Sequence, residues 1–351
     1  MKYIGCDFHP SFQQIAMLDL ETGELVECKL SHRDGEAKRF YEGLSGLVVV
    51  GVEATGSTQW FETHLARLGH RLWMGDAAEI RRRDPRRQKH DRRDAKLILR
   101  LMEEGQFPRI WVPSVEERDL RQLLLHRHHL VRMRTRVKNQ LQHMALNQGL
   151  QLGRKLWSQA GRQKLEALPL ESWTRLRRDE LLKLLDELEG KIVPLEQAVE
   201  QQAQAREDAR RLQTHPGVGP VIGLATVLTM GEVSRFPDSR SWVSYLGLNP
   251  SEESSGERRR LGAISKQGNP FLRFLLVQAA SLAARGDQDL ARMYTRLKAK
   301  RHHGIAKVAV ARKLAVRLYW MQRRQCGYPE VVRMQGSQSH SVAEGNGRAF
   351  E

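Results

Sequence analysis

The run Leu47-Val48-Val49-Val50-Gly51-Val52-Glu53 constrains the fold more than any other stretch of the chain. A strand that continuously apolar is buried on both faces, which requires a sheet covered by helices. The flanking sequence supplies its partners. Residues 2–7 form a short apolar run ending in an acid, residues 13–20 form a second, and residues 25–30 alternate well enough to complete a three-stranded antiparallel meander around the turn Glu21-Thr22-Gly23-Glu24. Helical patterns over 33–44 and 60–68, a short strand over 71–74 and a helical run over 95–104 follow. Together they predict an α/β domain over residues 1–112.

Beyond Pro113 the pattern becomes helical. Residues 115–149 and 177–212 are long runs rich in Leu, Arg, Glu and Gln, with a less regular connection over 153–173. Leu181, Leu184, Leu185, Leu188, Ile192, Leu195 and Val199 recur at spacings of three and four, as in an antiparallel helical pair or coiled coil. Residues 113–212 are therefore expected to be a basic coiled-coil or helical linker. Residues 213–330 are expected to be a mostly α-helical carboxy-terminal domain, with apolar helices over 271–284 and 308–321, a short helix and turn over 236–250 and a polar loop over 251–260. Residues 331–351, rich in Ser, Gly and Gln, read as a disordered tail.

The acids are placed to do chemistry. Asp7 ends the first strand, Glu53 ends the buried one, and Asp91 and Asp94 head a helical run within Lys89-His90-Asp91-Arg92-Arg93-Asp94-Ala95-Lys96. Residues three apart share one helix face, so Asp91 and Asp94 can present their carboxylates to one point. Helix capping also explains acids in a first turn. Adjacent strand ends facing such a helix, however, would assemble four carboxylates, enough negative charge to hold two Mg²⁺ ions for phosphoryl transfer.

Charge points to a polyanionic partner, with nucleic acid ahead of a ribosome or membrane surface. The 58 Lys and Arg against 41 Asp and Glu leave a formal net charge of +17, which points to nucleic acid. Candidate phosphate contacts are Arg81, Arg82, Arg83, Arg86, Arg87, Arg92 and Arg93 around the acids, and Arg127, Arg132, Arg134, Arg136 and Lys138 on the first long helix, where acids almost vanish after Asp119. Gly217 and Gly219, in His215-Pro216-Gly217-Val218-Gly219, resemble a helix-hairpin-helix turn whose backbone N–H groups grip phosphate. Arg258, Arg259, Arg260, Lys266 and Arg273 complete the set. Three scattered cysteines make no disulfide framework or zinc pattern, and nothing reads as a signal peptide or membrane span, so a soluble cytoplasmic protein without a membrane partner is expected.

The ordered motifs Ile4-Gly5-Cys6-Asp7, Val52-Glu53-Ala54-Thr55-Gly56, Asp91-Arg92-Arg93-Asp94-Ala95, Pro216-Gly217-Val218-Gly219, Gly247-Leu248-Asn249-Pro250 and Ile264-Ser265-Lys266-Gln267-Gly268-Asn269 resemble those of the DEDD transposases of the insertion-sequence-110 family. The resemblance implies an amino-terminal RNase-H/RuvC-like domain, a coiled-coil connection and a carboxy-terminal transposase domain. It implies a bacterial or archaeal, nucleoid-associated recombinase acting on donor and target DNA, guided by a structured RNA from its own element and assembled as a dimer or tetramer. Acid roles fall on Asp7, Glu53, Asp91 and Asp94, and the family's serine, after the Gly-Leu-x-Pro turn and before a glycine, falls on Ser255. Ser251 and Ser254 share that loop, and Phe8-His9-Pro10-Ser11 stands where many relatives carry a lysine. A hydrolytic RuvC-like nuclease acting on branched DNA and a non-catalytic nucleic-acid-binding protein are the competing readings.

Overall fold

Alternation along the first strand sets the architecture of the amino-terminal unit. In this computed structural model, which describes residues 1–54, 56, 58–83, 91–252 and 261–333, β1 (Lys2–Phe8) buries Ile4, Cys6 and Phe8 on one face of a sheet. There they meet Tyr41 of α1 (Glu36–Glu42) and Phe61 and Leu65 of α2 (Gln59–Arg67). Side chains at odd positions, Tyr3, Gly5 and Asp7, take the other face.

The expected meander forms from β1, β2 (Phe12–Asp19) and β3 (Leu25–Ser31), all antiparallel neighbours. β4 (Val48–Glu53) pairs parallel to β1, and β5 (Arg71–Gly75) parallel to β4, giving the order β3-β2-β1-β4-β5. β4 is buried on both faces as its composition demands. Val48, Val50 and Val52 join the first core, whereas Val49 packs with Ile80, Ile98, Leu101, Met102 and Phe107 beneath α3 (Ala77–Arg82) and α4 (Asp91–Glu103).

Two glycines let α4 lie on the sheet. A Cβ at Gly5 would collide with the Ala95 carbonyl and the Leu99 amide of α4, and one at Gly51 with the Met102 side chain. Close approach at these points runs α4 back toward the ends of β1 and β4. The helix starts at Asp91, four residues earlier than the apolar periodicity of 95–104 indicates, so both Asp91 and Asp94 lie in its first turn.

Residues Met1–Val112 form one unit and Pro113–Glu351 the other. In the second unit α5 (Val115–Asn147) opens on a capping box between Ser114 and Glu117 and packs against α7 (Ser172–Ala205), with α6 (Gln159–Glu166) in the connection. The pairs Glu116–Arg206, Arg127–Glu196 and Lys138–Glu189 descend in one helix as they rise in the other, so the two run antiparallel. Leu185, Leu188 and Ile192 of the leucine stripe are buried between them with Leu182, Leu130, Val137 and Leu141, whereas Leu184 is exposed.

The helical run expected to continue to residue 212 stops at Ala205. Arg206 is extended, and α8 (Glu207–Gln213) restarts to carry Ala209 and Leu212 into a second core, which Val199 and Ala203 at the end of α7 and Leu120 and Leu124 of α5 also join. That core is built with α9 (Pro220–Met230), α10 (Ser239–Tyr245), α11 (Pro270–Gly286), α12 (Gln288–Lys300) and α13 (His303–Arg323). Arg317 is buried in it, ion-paired with Asp287 and, at 3.3 Å, with Asp289. The segment expected to be a polar loop over 251–260 begins within the strand β6 (Pro250–Glu252), which pairs antiparallel with β7 (Leu261–Ile264) just beyond it, and residues 253–260 lie outside the described residues. Among the described residues no helix is long and apolar enough to cross a membrane.

Candidate functional site

β1 and β4 carry their acids to the same edge by register. Cys6 pairs with Val52, so Asp7 and Glu53, the next residues of each strand, end side by side on the face covered by α4. The glycine contacts then bring the first turn of α4 over that edge. One oxygen or nitrogen from each of Asp7, His9 and Asp91 lies within 4.8 Å of the other two. His9 Nε2 is 3.1 Å from Asp7 Oδ2 and 3.9 Å from Asp91 Oδ2. Asp94 is near enough for its charge to act on Asp7.

Burial raises the Asp7 carboxyl above the usual carboxylate range; His9 opposes that rise, while the charges of Asp94 and Asp91 add to it. Like charges converging on a half-buried carboxylate are the electrostatic signature of a position that favours a cation. An oxygen-rich donor set with one imidazole fits a divalent metal. Glu53 is held by an arginine. Its Oε1 accepts a 2.8 Å hydrogen bond from Arg81 Nη2, so a cationic side chain already offsets part of its charge.

The arginines expected to meet nucleic acid divide by what already holds them. Arg82 pairs with Glu79 at 2.6 Å, and Arg83 donates to the Gln106 carbonyl. Arg92 and Arg93 are exposed on the first turn of α4, beside the acids. Arg86 and Arg87 lie outside the described residues.

On α5, Arg127 is held by Glu196 at 2.5 Å and Lys138 by Glu189 at 2.8 Å, and Arg134 is half-buried. Arg132 and Arg136 are exposed and line a groove of about 840 Å³ with His128, Asn139, Arg177 and Phe274, and no carboxylate is among its lining residues. Phe274 is 45% exposed and packs 5.1 Å from the His128 ring. Such a combination of uncompensated guanidinium groups and an open aromatic face suits a nucleic-acid strand.

The glycine turn is built differently from a phosphate cradle on one side. Gly217 has φ +83°, and a Cβ there would sit 2.6 Å from the Ala283 amide of α11, so this glycine permits close packing. Gly219 is exposed with open space beside it. Burial lowers the His215 imidazole to about 4, leaving it neutral near pH 7 and unable to add positive charge at the turn. Arg273 donates to the carbonyls of Leu246 and Gln267 at 2.9 and 3.1 Å, closing the turn before α11, while Lys266 is exposed.

Ser251 lies in β6, its hydroxyl donating to the Ala263 carbonyl at 3.1 Å. Ser254, Ser255, Arg258, Arg259 and Arg260 lie outside the described residues. Two groups in the acid site were not singled out from sequence. His9 stands two residues after Asp7, the spacing that returns a strand to the same face, and a glycine stands two residues before each strand-end acid, in Gly5-Cys6-Asp7 and Gly51-Val52-Glu53.

Both parts of the chain match families of transposases. A DEDD-type IS110 family model described as "Transposase" matches residues 4–148, and one described as "Transposase IS116/IS110/IS902 family" matches residues 209–295. The "Probable family 20 transposase" of Pseudomonas aeruginosa is 29% identical, covering 94% of this chain and 99% of its own. The "Putative transposase y4rJ" of Sinorhizobium fredii is 30% identical over 74% of this chain and 73% of its own. The "Transposase for insertion sequence element IS1111A" of Coxiella burnetii is 27% identical over 80% and 77%.

Proposed function

The chain belongs to the IS116/IS110/IS902 family of transposases, and from that premise we propose that Asp7, Glu53, Asp91 and Asp94 hold Mg²⁺ for DNA strand cleavage and exchange, with Ser255 as nucleophile. Membership implies recombination of DNA. The observation that carries the mechanism is the convergence of Asp7, His9 and Asp91 within 4.8 Å at the edge where Glu53 also ends.

A divalent metal bound there supplies Lewis-acid stabilisation of the charge that develops on a phosphodiester. Asp7 and Asp91 offer oxygens to one point, and Asp94 adds charge on the same helix turn. Glu53, ion-paired with Arg81, would complete the acid set, and Arg81, Arg92 and Arg93 would offer guanidinium groups to the phosphate backbone. Ser255 Oγ attacks phosphorus, forming the Oγ–P bond and breaking the P–O3′ bond; the serine proton ends on the released 3′-hydroxyl. The resulting 5′-phosphoserine conserves the ester for rejoining, which is the reverse attack by a 3′-hydroxyl. Engagement of the Ser251 hydroxyl in the hairpin favours a serine further along the loop.

The same reading includes a structured guide RNA and a dimer or tetramer in which acids of one copy serve the serine of another. Guided systems place sequence choice in base pairing, so the protein needs backbone contacts more than base readout. The α5 groove suits that task. Replacing Arg132 and Arg136 by Ala is expected to lower the salt-dependence slope of nucleic-acid binding by about 2, since each phosphate contact contributes roughly 0.9. An unchanged slope removes the groove from the interface.

The function is tested by strand exchange between donor and target duplexes with the co-purifying RNA present. Joint products that form only with divalent metal are expected. Cut strands carrying free 5′-phosphates, with no joint product, would instead indicate a hydrolytic nuclease.

A further inference from the structure

We propose that His9 is itself a metal ligand through Nε2, making this a mixed nitrogen and oxygen site that prefers Mn²⁺ or a later first-row cation to Mg²⁺. The inference rests on the acid-cluster reading but goes beyond it, because the four acids alone make an all-oxygen site.

Geometry places Nε2 where a ligand belongs. Cis ligands of an octahedral ion with bonds of about 2.1 Å are about 3 Å apart, and trans ligands about 4.2 Å. His9 Nε2 stands 3.1 Å from Asp7 Oδ2 and 3.9 Å from Asp91 Oδ2, within that span for both. Its position is held rather than incidental. The His9 ring stacks on Phe12, with centroids 4.5 Å apart and planes 23° from parallel, and the His9 amide donates to the Phe12 carbonyl at 2.9 Å. Phe12 in turn carries the Lys29 ammonium 3.9 Å from its ring centroid. A histidine that merely oriented Asp7 would need one carboxylate in reach; this one faces two, on β1 and on α4.

Chemistry turns that position into selectivity. Mg²⁺ takes oxygen donors and keeps its waters, whereas imidazole gains affinity along the first-row series. A nitrogen donor therefore raises affinity for Mn²⁺ while leaving Mg²⁺ nearly unaffected.

The full chain is titrated with Mn²⁺ alone and with Mg²⁺ alone, and the Mn²⁺ complex is examined by pulsed electron paramagnetic resonance. Wild type is expected to show ¹⁴N coupling from one imidazole, and His9→Ala to lose that coupling and about tenfold in Mn²⁺ affinity, with Mg²⁺ affinity changed less than about threefold. His9→Gln, which retains a polar side chain of similar reach, should fold as wild type and likewise lose the nitrogen signal. Mn²⁺ bound without ¹⁴N coupling, or equal losses for both metals in His9→Ala, overturns the ligand role and leaves the acid cluster standing. A wild-type chain that binds neither metal overturns both.

Discussion

Asp7→Asn is expected to lower strand exchange by on the order of 10³-fold or more, the scale reached when one charge-stabilising group is removed from a reacting centre, without lowering thermal stability. The second half of that expectation is the more discriminating. Burial and the charges of Asp94 and Asp91 raise the Asp7 carboxyl, outweighing His9, so the folded state holds the Asp7 proton more tightly than the unfolded chain does. Stability from this group is therefore present at low pH and is lost as pH rises through its raised value. The ionised carboxylate is a cost to the metal-free fold, and a neutral amide of the same shape removes it. Loss of activity with an unchanged or raised unfolding temperature separates a site held for function from one held for structure. A melting temperature several degrees lower, with exchange retained, would assign Asp7 to the fold.

Gly5→Val is expected to abolish metal binding and exchange by a route that never touches a ligand. A β-branched side chain at this position meets the Ala95 carbonyl and the Leu99 backbone, so α4 must lift from β1. Overpacking of this kind costs about 1–3 kcal/mol, and the lift carries Asp91 and Asp94 away from Asp7. Gly23→Val is the control, since it lies in a turn with open space around it, though its φ of +75° brings local strain. Calorimetric Mg²⁺ titration of both variants checks the prediction. Intact binding in Gly5→Val would mean that α4 does not need its close seat on β1.

Much of the acid site is legible in sequence because strand patterning does two jobs at once. The apolar run 47–53 announces both a doubly covered strand and the place where it ends, so Glu53 and Asp7 are readable as strand-end acids before any coordinate is known. Asp91 and Asp94 follow from helical spacing. His9 carries no such pattern, since a single histidine past a strand end has meaning only once α4 is seen to bring Asp91 to it. The seats at Gly5 and Gly51 repeat two residues before each acid, a signal visible in sequence but interpretable only with the helix in place.

Elsewhere the misses have local causes. Nothing between Ala205 and Glu207 breaks a helix by propensity, so the bend at Arg206, after which Ala209 and Leu212 pack in the same core as Val199 and Ala203 of α7, leaves no signal in the sequence. The β6–β7 hairpin flanks polar sequence and contains strands of three and four residues, too short to declare a period of two. At Gly217 the sequence pattern has two readings, because packing against a helix backbone and exposing amides to a ligand call for the same residue.

Mass spectrometry of reactions quenched during strand exchange tests most directly whether the acid cluster drives attack by Ser255. A DNA strand joined through its 5′-phosphate to the peptide containing Ser255 is expected, present with divalent metal and absent in Asp94→Ala, in Ser255→Ala and after chelation. Free 5′-phosphate ends without any adduct in the wild-type reaction, or an adduct that persists in Ser255→Ala, would contradict it.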